Sequence, residues 1–159
     1  MSASNSCAGE SSVCQDGCIE PNNMYKEYGV NRWHNEFMSQ SILEQAHQML
    51  PELQDLRRKL HKNPEFGLEL PKTLEVILEQ ITGLGKITLG KSITSAVLHI
   101  KGDNEGPTVL LRADMDALAV IEDTNLEYAS VNGFMHACGH DLHMAMGVGA
   151  AKILASRKS

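Results

Sequence analysis

One short segment of the sequence concentrates side chains that could bind a metal. His136, Cys138, His140 and His143 fall within eight residues, and Asp141 stands between the last two histidines. Thiolate and imidazole are ligands that zinc prefers, and manganese, cobalt and nickel can also take such ligands. A glycine between the cysteine and the second histidine allows a tight loop that points both side chains at one centre. A surface or core cluster without a metal is the alternative, but this many donors in one loop favours a metal site.

A second cluster of charged side chains follows an apolar stretch. Asp114 and Asp116 come directly after residues 108–112 and are separated by a single residue. Alternate residues of a strand point to the same side, and α/β sheets bind ligands beyond the carboxyl ends of their strands. The two carboxylates are therefore predicted where a metal or a polarised water would sit. A solvated pair of acids at a strand end is the alternative.

Helices on the amino-terminal side must help to position these clusters. Apolar residues recur at intervals of three and four after Ser41, which predicts a helix that ends at the Asn-Pro pair before Glu65. Ser41 and Glu44 could form a capping box at its start, and Pro51 predicts a kink or a fresh helix start. A second helix is predicted over 72–82, where glycines follow.

Two β-rich stretches and a last helix come next. Residues 95–100 and 108–112 predict strands joined by a turn over 102–107, and the second stretch is apolar enough for a strand covered on both faces. Residues 141–155 predict a closing helix. Helices before and after central strands indicate an α/β fold. The predicted buried side of the closing helix consists of Leu142, Ala145, Met146, Gly149, Ala150, Ile153 and Leu154.

Composition limits the class of protein. The 159 residues have the length of one domain, and the formal net charge of −6 comes without basic runs. We therefore expect no nucleic-acid partner and no membrane attachment. No stretch is apolar and long enough to span a bilayer, and the start of the chain shows no signal peptide, so we predict a cytoplasmic protein.

The first 40 residues differ from the rest of the chain. The run over 1–23 is small and polar, without a helical or strand period, and residues 1–40 are predicted to form a mobile polar tail. Cys7, Cys14 and Cys18 lie there at spacings that match no standard zinc pattern. We predict incidental thiols, with a metal or redox role as the alternative.

Three motifs together resemble a known family. The segments LRRKLHKNPEFG (56–67), GPTVLLRADMDAL (106–118) and MHACGHDLHMAMGVGAA (135–151) are similar to the amino-terminal part of the metal-dependent amidohydrolases. That group includes hippurate hydrolase, N-acyl-amino-acid amidohydrolase and the plant auxin-conjugate hydrolases, within the aminoacylase and carboxypeptidase superfamily. The resemblance implies that residues 41–159 form the amino-terminal part of a zinc-peptidase-like catalytic domain, with helices packed on a central β-sheet. It also implies that the rest of that domain and a lid or dimerisation domain are missing, and that the family is homo-oligomeric.

The resemblance also implies roles for individual residues. Cys138 and His140 correspond to two metal ligands of the family, which would hold zinc, manganese, cobalt or nickel. Asp116 corresponds to an aspartate that orients a ligand. Asp114 stands where peptidase relatives have a metal-binding histidine, so it is a possible ligand without an assigned role.

The remaining motif residues have less definite roles. His136, Asp141 and His143 fit outer groups that orient the ligands. The glutamate that serves the family as general base is expected in sequence beyond this chain. Glu122 and Glu127 are interpreted as loop acids.

The expected function follows from the resemblance. It is metal-dependent hydrolysis of the amide bond in N-acyl amino acids, with a small-molecule substrate. The chain itself is expected to be a truncated form that is inactive alone. The alternative is a non-catalytic fragment that binds a metal or a partner.

Overall fold

The computed structural model describes residues 32–157 of the chain, and the side chains of residues 42–157. The chain divides into one unit over Met1–Leu43 and another over Glu44–Ser159, and every contact discussed below lies within the second. Its helices and strands are α1 (Arg32–Lys62), α2 (Pro71–Ile81), β1 (Lys86–Leu89), β2 (Ala96–His99) and α3 (His140–Ser156).

Helix α1 starts earlier than the sequence pattern predicts. It begins at Arg32, so the capping box predicted at Ser41 is wrong and residues 32–40 of the predicted tail are helical. No glycine or proline interrupts this stretch, and Pro51 lies inside the helix without ending it. Residues 1–31 of the predicted tail, with its three cysteines, lie outside the described residues. The helix ends at Lys62, as the following Asn-Pro pair predicts.

The three helices share one apolar core. Leu56 and Leu60 of α1 meet Ile77 and Ile81 of α2, together with the buried side of α3. Helix α2 is predicted correctly to within a residue and has proline at its first position, where the missing N–H is not needed. This core packs α3 against the two preceding helices.

The buried side of α3 differs from the predicted one. The structure buries Asp141, Met144, Ala145, Val148 and Gly149, whereas Leu142, Met146 and Leu154 are exposed. A β-carbon on Gly149 would lie 2.8 Å from Leu53 Cδ1, so the small residues set a close approach to α1. Burial of Ala145 and Gly149 is therefore confirmed, and burial of Leu142, Met146 and Leu154 is wrong. Apolar residues occur all around α3, so the sequence alone does not determine its rotation.

The sheet is a two-stranded antiparallel hairpin in the described residues. Strand β2 confirms the strand predicted over 95–100, and its partner β1, which the sequence analysis missed, pairs with it from Lys86 opposite His99 to Leu89 opposite Ala96. Helices packed on a small sheet confirm the predicted fold class.

The strand predicted over 108–112 is wrong for this structure. These residues form no strand, and Val109, Leu110 and Leu111 are 78%, 83% and 62% exposed. A strand covered on both faces needs neighbours to pair with, and none of the residues 32–157 pairs with this segment. In the part of the chain that the structure describes, no helix has the length and apolar character needed to cross a bilayer.

Candidate metal centre

Short backbone bridges bring the two predicted clusters together. Ala117 pairs in parallel with Phe66, and Leu118 pairs in an antiparallel bridge with Met135. Two hydrogen bonds hold the second bridge: the Leu118 N–H donates to the Met135 carbonyl at 2.9 Å, and the reverse bond measures 3.0 Å. The segment that carries Asp116 therefore lies beside the loop that leads into α3.

His140 is the most firmly oriented residue of the candidate site. It is the first residue of α3, and its Nδ1 lies 2.8 Å from the Asp116 carbonyl oxygen and 3.1 Å from Asp116 Oδ1. Both neighbours are acceptors, so Nδ1 carries the proton and donates it. The other ring nitrogen, Nε2, is then left with a lone pair for a metal. Asp116 therefore contacts the Nδ1 side of the His140 ring through both its carbonyl oxygen and its carboxylate.

The turn before α3 depends on Gly139. This residue adopts φ 78° and ψ 25°, a left-handed conformation that glycine reaches without strain. The turn separates His140 from Cys138, whose thiol is free and exposed. The sequence predicted a glycine-dependent loop at this point, and the structure has one.

Three side chains lie close enough to hold one ion. Donor atoms of Asp114, His140 and His143 all lie within 4.8 Å of one another. Ligands at about 2.1 Å from an ion are at most about 4.2 Å apart, so a small side-chain rotation completes the fit. His143 is half-exposed, with Nδ1 3.9 Å from Asp114 Oδ2. The residues present therefore fit a divalent metal, and carboxylate with imidazole is a suitable donor set for one.

Arg112 keeps the Asp114 carboxylate charged. Its Nε and Nη2 lie 2.8 Å and 2.6 Å from Asp114 Oδ1. The hydrogen bond from Arg112 lowers the pKa of Asp114, with smaller favourable contributions from the charges of Arg112, His140 and His143. Cys138 is not among the three grouped residues. Two donor sets are therefore open, one with Cys138 and one with Asp114 and His143, and His140 is common to both.

Two predicted outer groups are buried behind this surface. Asp141 has no exposed side-chain surface and His136 is 4% exposed. Within the described residues neither ring nitrogen of His136 has a hydrogen-bond partner, and neither has Asp141 Oδ1. Burial lowers the pKa of His136, and the negative charge of Asp141 opposes that effect. The lowered pKa favours the neutral form of His136.

The sequence analysis missed a buried polar network under the site. Asp141 Oδ2 accepts hydrogen bonds from Arg57 Nε at 2.7 Å and His61 Nδ1 at 2.8 Å. His61 Nε2 lies 3.0 Å from Glu122 Oε1, and the Ser130 N–H donates to Glu122 Oε2 at 2.7 Å. A signal was present, because Arg57 and His61 are four residues apart and share one face of a helix.

Glu122 lies in a loop, as predicted, but its side chain has no exposed surface. Burial raises the pKa of its carboxyl group, and the hydrogen bonds from Thr124, His61 and the Ser130 N–H outweigh that effect. Together they lower the pKa of Glu122 to about 2. The carboxylate is therefore ionised at every ordinary pH. The other predicted loop acid, Glu127, is exposed.

The lowered pKa of Glu122 predicts an acid-sensitive contribution to stability. A carboxyl whose pKa is lower in the folded chain stabilises it fully above the unfolded value of 4.5, and loses that effect as the pH falls toward about 2. We expect Glu122→Gln to lower the free energy of unfolding by on the order of 2 kcal/mol at pH 6, with the difference from the parent shrinking as the pH falls below about 5. Urea unfolding at several pH values measures this. The exposed Glu127→Gln should show no such trend, and a constant Glu122→Gln difference down to pH 3 would contradict the assignment.

A second prediction concerns the left-handed turn. Gly139→Ala should lower the free energy of unfolding by about 1–2 kcal/mol, because a β-carbon is strained in this conformation while no atom lies closer to it than 3.7 Å. Gly83 provides a matched control, since its φ is +88° and a β-carbon there meets nothing within 4 Å. Both variants should lose similar stability in thermal unfolding, but only Gly139→Ala should weaken metal binding. Equal metal affinity in the two variants would show that the turn does not position the donors.

Comparison with known proteins gives consistent matches. Residues 110–159 match the model of Peptidase family M20/M25/M40. The chain is 44% identical over 106 residues to thermostable carboxypeptidase 2 of Saccharolobus solfataricus, a match that covers 65% of this chain and 27% of that protein. It is 43% identical over 99 residues to the N-acyl-L-amino acid amidohydrolase of Geobacillus stearothermophilus, covering 61% of this chain and 27% of the relative.

A solved structure also matches. It is a dinuclear metal-binding peptidase of the M20 family from Bacillus subtilis, with a TM-score of 0.62 and 38% identity over 69% of this chain and 32% of the other. The chain therefore spans about 30% or less of the curated relatives, and about a third of this solved structure.

Proposed function

This chain is related to the hydrolases of peptidase family M20/M25/M40, and on that premise we propose that it provides part of the metal centre of an enzyme that hydrolyses N-acyl amino acids. The substrate is a small molecule with an amide bond between an acyl group and an amino acid. Residues 41–159 would be the amino-terminal part of the catalytic domain. A homo-oligomeric state and a cytoplasmic location remain predictions.

The orientation of His140 is the observation that carries this proposal. A histidine ring whose Nδ1 is held by Asp116 presents Nε2 as a fixed donor, which is how metal-binding histidines are commonly prepared. Two further donors lie close to His140: the carboxylate of Asp114, which Arg112 hydrogen-bonds, and the imidazole of His143. The exposed thiol of Cys138 is two residues before His140 in the sequence. A structural role alone would not require an oriented imidazole beside two other donors.

A divalent metal would be held by Cys138 and His140, with Asp116 as the orienting residue. Zinc, manganese, cobalt and nickel all suit this donor set. When bound, the metal supplies Lewis-acid polarisation of the amide carbonyl and activates a water for attack. Asp114 and His143 form the second candidate donor set, because their donor atoms lie within 4.8 Å of those of His140. His136 and Asp141 would support the loop from the buried side.

One observation favours a second candidate function. Val109, Leu110 and Leu111 expose a continuous apolar run, and such runs on soluble proteins commonly mark contact surfaces. A non-catalytic fragment that binds a partner through this run, with or without a metal, is therefore the alternative. Hydrolysis by a lengthened chain separates the two candidates, because only the first predicts it.

The test of the first candidate is the metal content of cysteine variants. We expect Cys138→Ser to lower zinc or cobalt content strongly after dialysis against a buffered metal solution, because a serine hydroxyl is a far poorer anionic donor than a thiolate at neutral pH. Cys7→Ser, Cys14→Ser and Cys18→Ser are the matched controls and should keep the metal content of the parent. Equal content in Cys138→Ser and the parent would remove Cys138 from the donor set.

A further inference from the structure

We propose that the buried network of Arg57, His61, Asp141 and Glu122 acts as a positioning device for the metal donors, which extends the proposed function to residues that do not touch the metal. The network sets the rotation of helix α3 about its own axis. Through that rotation it aims His140 and His143 toward Asp114.

The position of Asp141 in the helix carries the first step. Asp141 is in the first turn of α3, immediately after His140 and two residues before His143. Successive helical residues are rotated by about 100°, so His140 and His143 share one face and Asp141 points to another. Contacts that hold the Asp141 side chain toward the protein interior therefore hold both histidine side chains on the exposed face of α3. The structure shows this division, with Asp141 fully buried and the two histidines partly exposed.

Helix α1 holds Asp141 directly, and the loop over 122–130 supports that contact through His61. Arg57 and His61 bind Asp141 Oδ2 from α1 at 2.7 Å and 2.8 Å. His61 reaches Glu122 with its other ring nitrogen at 3.0 Å, and Glu122 is tied to the Ser130 N–H at 2.7 Å. The network thus joins α1, the loop over 122–130 and the start of α3. Both ring nitrogens of His61 face carboxylate oxygens, so each is in place to donate.

Stability alone does not account for such an arrangement. Burying two carboxylates and a histidine costs desolvation free energy, and well-packed apolar residues often stabilise a contact equally well. Hydrogen bonds from α1, supported by the loop over 122–130, fix the direction of the Asp141 side chain as well as its distance, which apolar packing does not do. Tyr128 adds to this fixation, since the Arg57 guanidinium lies 5.4 Å from its ring and Arg57 Nη1 donates to its hydroxyl at 3.3 Å.

The experiment compares network variants with a core variant in the 159-residue chain. Glu122→Gln is the first choice, because Glu122 is two contacts away from α3. We expect it to weaken cobalt and zinc binding about tenfold, the lower end of the effect of outer-group substitutions on metal affinity. Arg57→Met should act in the same direction, and Arg57→Lys should recover most of the loss because it restores the charge and a donor. The control Ile77→Val reduces stability by shortening a buried side chain of α2, and should change metal affinity less than twofold.

A second readout does not depend on metal. The His143 N–H donates to the Gly139 carbonyl at 3.1 Å in the first turn of α3. We expect its hydrogen exchange to become faster in Glu122→Gln and Arg57→Met, and to stay near the parent rate in Ile77→Val after correction for global stability.

The outcomes separate this inference from the proposed function. Parent-like metal affinity and parent-like His143 exchange in both network variants would overturn the positioning role while leaving metal binding intact. A similar loss of affinity in Ile77→Val would also overturn it, because general destabilisation would then explain the effect. If the parent chain binds no metal, the proposed function fails, and the exchange of His143 alone decides whether the network positions α3.

Discussion

Replacing His140 by alanine is expected to weaken divalent-metal binding by more than about 100-fold. His140 belongs to both candidate donor sets, the one with Cys138 that the resemblance implies and the one with Asp114 and His143 that the structure groups, so its loss leaves no set intact. Substitutions of outer groups already cost about 10–100-fold in metal affinity, and removal of a direct ligand should exceed that range. Equilibrium titration with cobalt or zinc, using a competing chelator, measures the change.

Two further variants identify the partner of His140. If the thiol is the second ligand, Cys138→Ser should lose most of the affinity and His143→Ala little of it. If Asp114 and His143 complete the site instead, His143→Ala should lose most of the metal affinity and Cys138→Ser little of it. His99→Ala is the control, because this exposed histidine on β2 lies outside both sets. Parent-like affinity in His140→Ala would show that the metal, if any, binds elsewhere.

Amide hydrolysis is expected only after the chain is lengthened. The 159-residue chain should show no turnover of N-acetyl or N-benzoyl amino acids above metal-only controls, with zinc, manganese, cobalt or nickel present. A chimera carrying the downstream region of a full-length relative should hydrolyse them. The reason is that catalytic zinc sites use three protein ligands, and that a general base contributes about 10²–10⁴-fold. Among the described residues, no glutamate joins the donor group, and both carboxylate oxygens of Glu122 are already hydrogen-bonded.

The control for this experiment is His140→Ala in the chimera, which should abolish the hydrolysis gained by lengthening. Turnover by the 159-residue chain alone, abolished by the same substitution, would contradict the expectation. In that case the site would be complete within these residues or across an oligomer. A chimera that folds, binds metal and still hydrolyses nothing would favour the alternative of a non-catalytic fragment.

Local sequence signals predicted the elements that form locally. Helix α2 and strand β2 have clear periodicity and glycine or proline boundaries, and both lie within a residue or two of the predicted ranges. The segment over 108–112 has equally strong β character but forms no strand. A strand forms only where a neighbouring segment pairs with it through backbone hydrogen bonds, and no described residue pairs with this segment. The rotation of α3 also depended on its neighbours, since apolar residues occur all around that helix.

In the candidate site, too, residues within one motif were found from the sequence, whereas contacts between distant segments were not. The sequence indicated two separate clusters of candidate residues, and only the resemblance linked Asp116 to a metal ligand. The structure places Asp116 against His140 and brings donor atoms of Asp114, His140 and His143 within 4.8 Å of one another. The network beneath them depends on contacts between residues 84 and 61 positions apart, from Arg57 to Asp141 and from His61 to Glu122. A single sequence does not reveal such pairs. Glu122 therefore had the sequence character of an ordinary loop acid, although its side chain is fully buried.

The absorption spectrum of the cobalt-loaded chain tests the central claim most directly. Cys7, Cys14 and Cys18 are first replaced by serine, so that Cys138 is the single thiol left. A metal held by Cys138 and His140 should give a thiolate-to-cobalt charge-transfer band, together with visible bands of a low-symmetry site, at one equivalent of cobalt. The charge-transfer band should vanish in Cys138→Ser, and both features should vanish in His140→Ala. Tight cobalt binding without a thiolate band would assign the metal to Asp114, His140 and His143, and no saturable binding at all would contradict a metal centre in this chain.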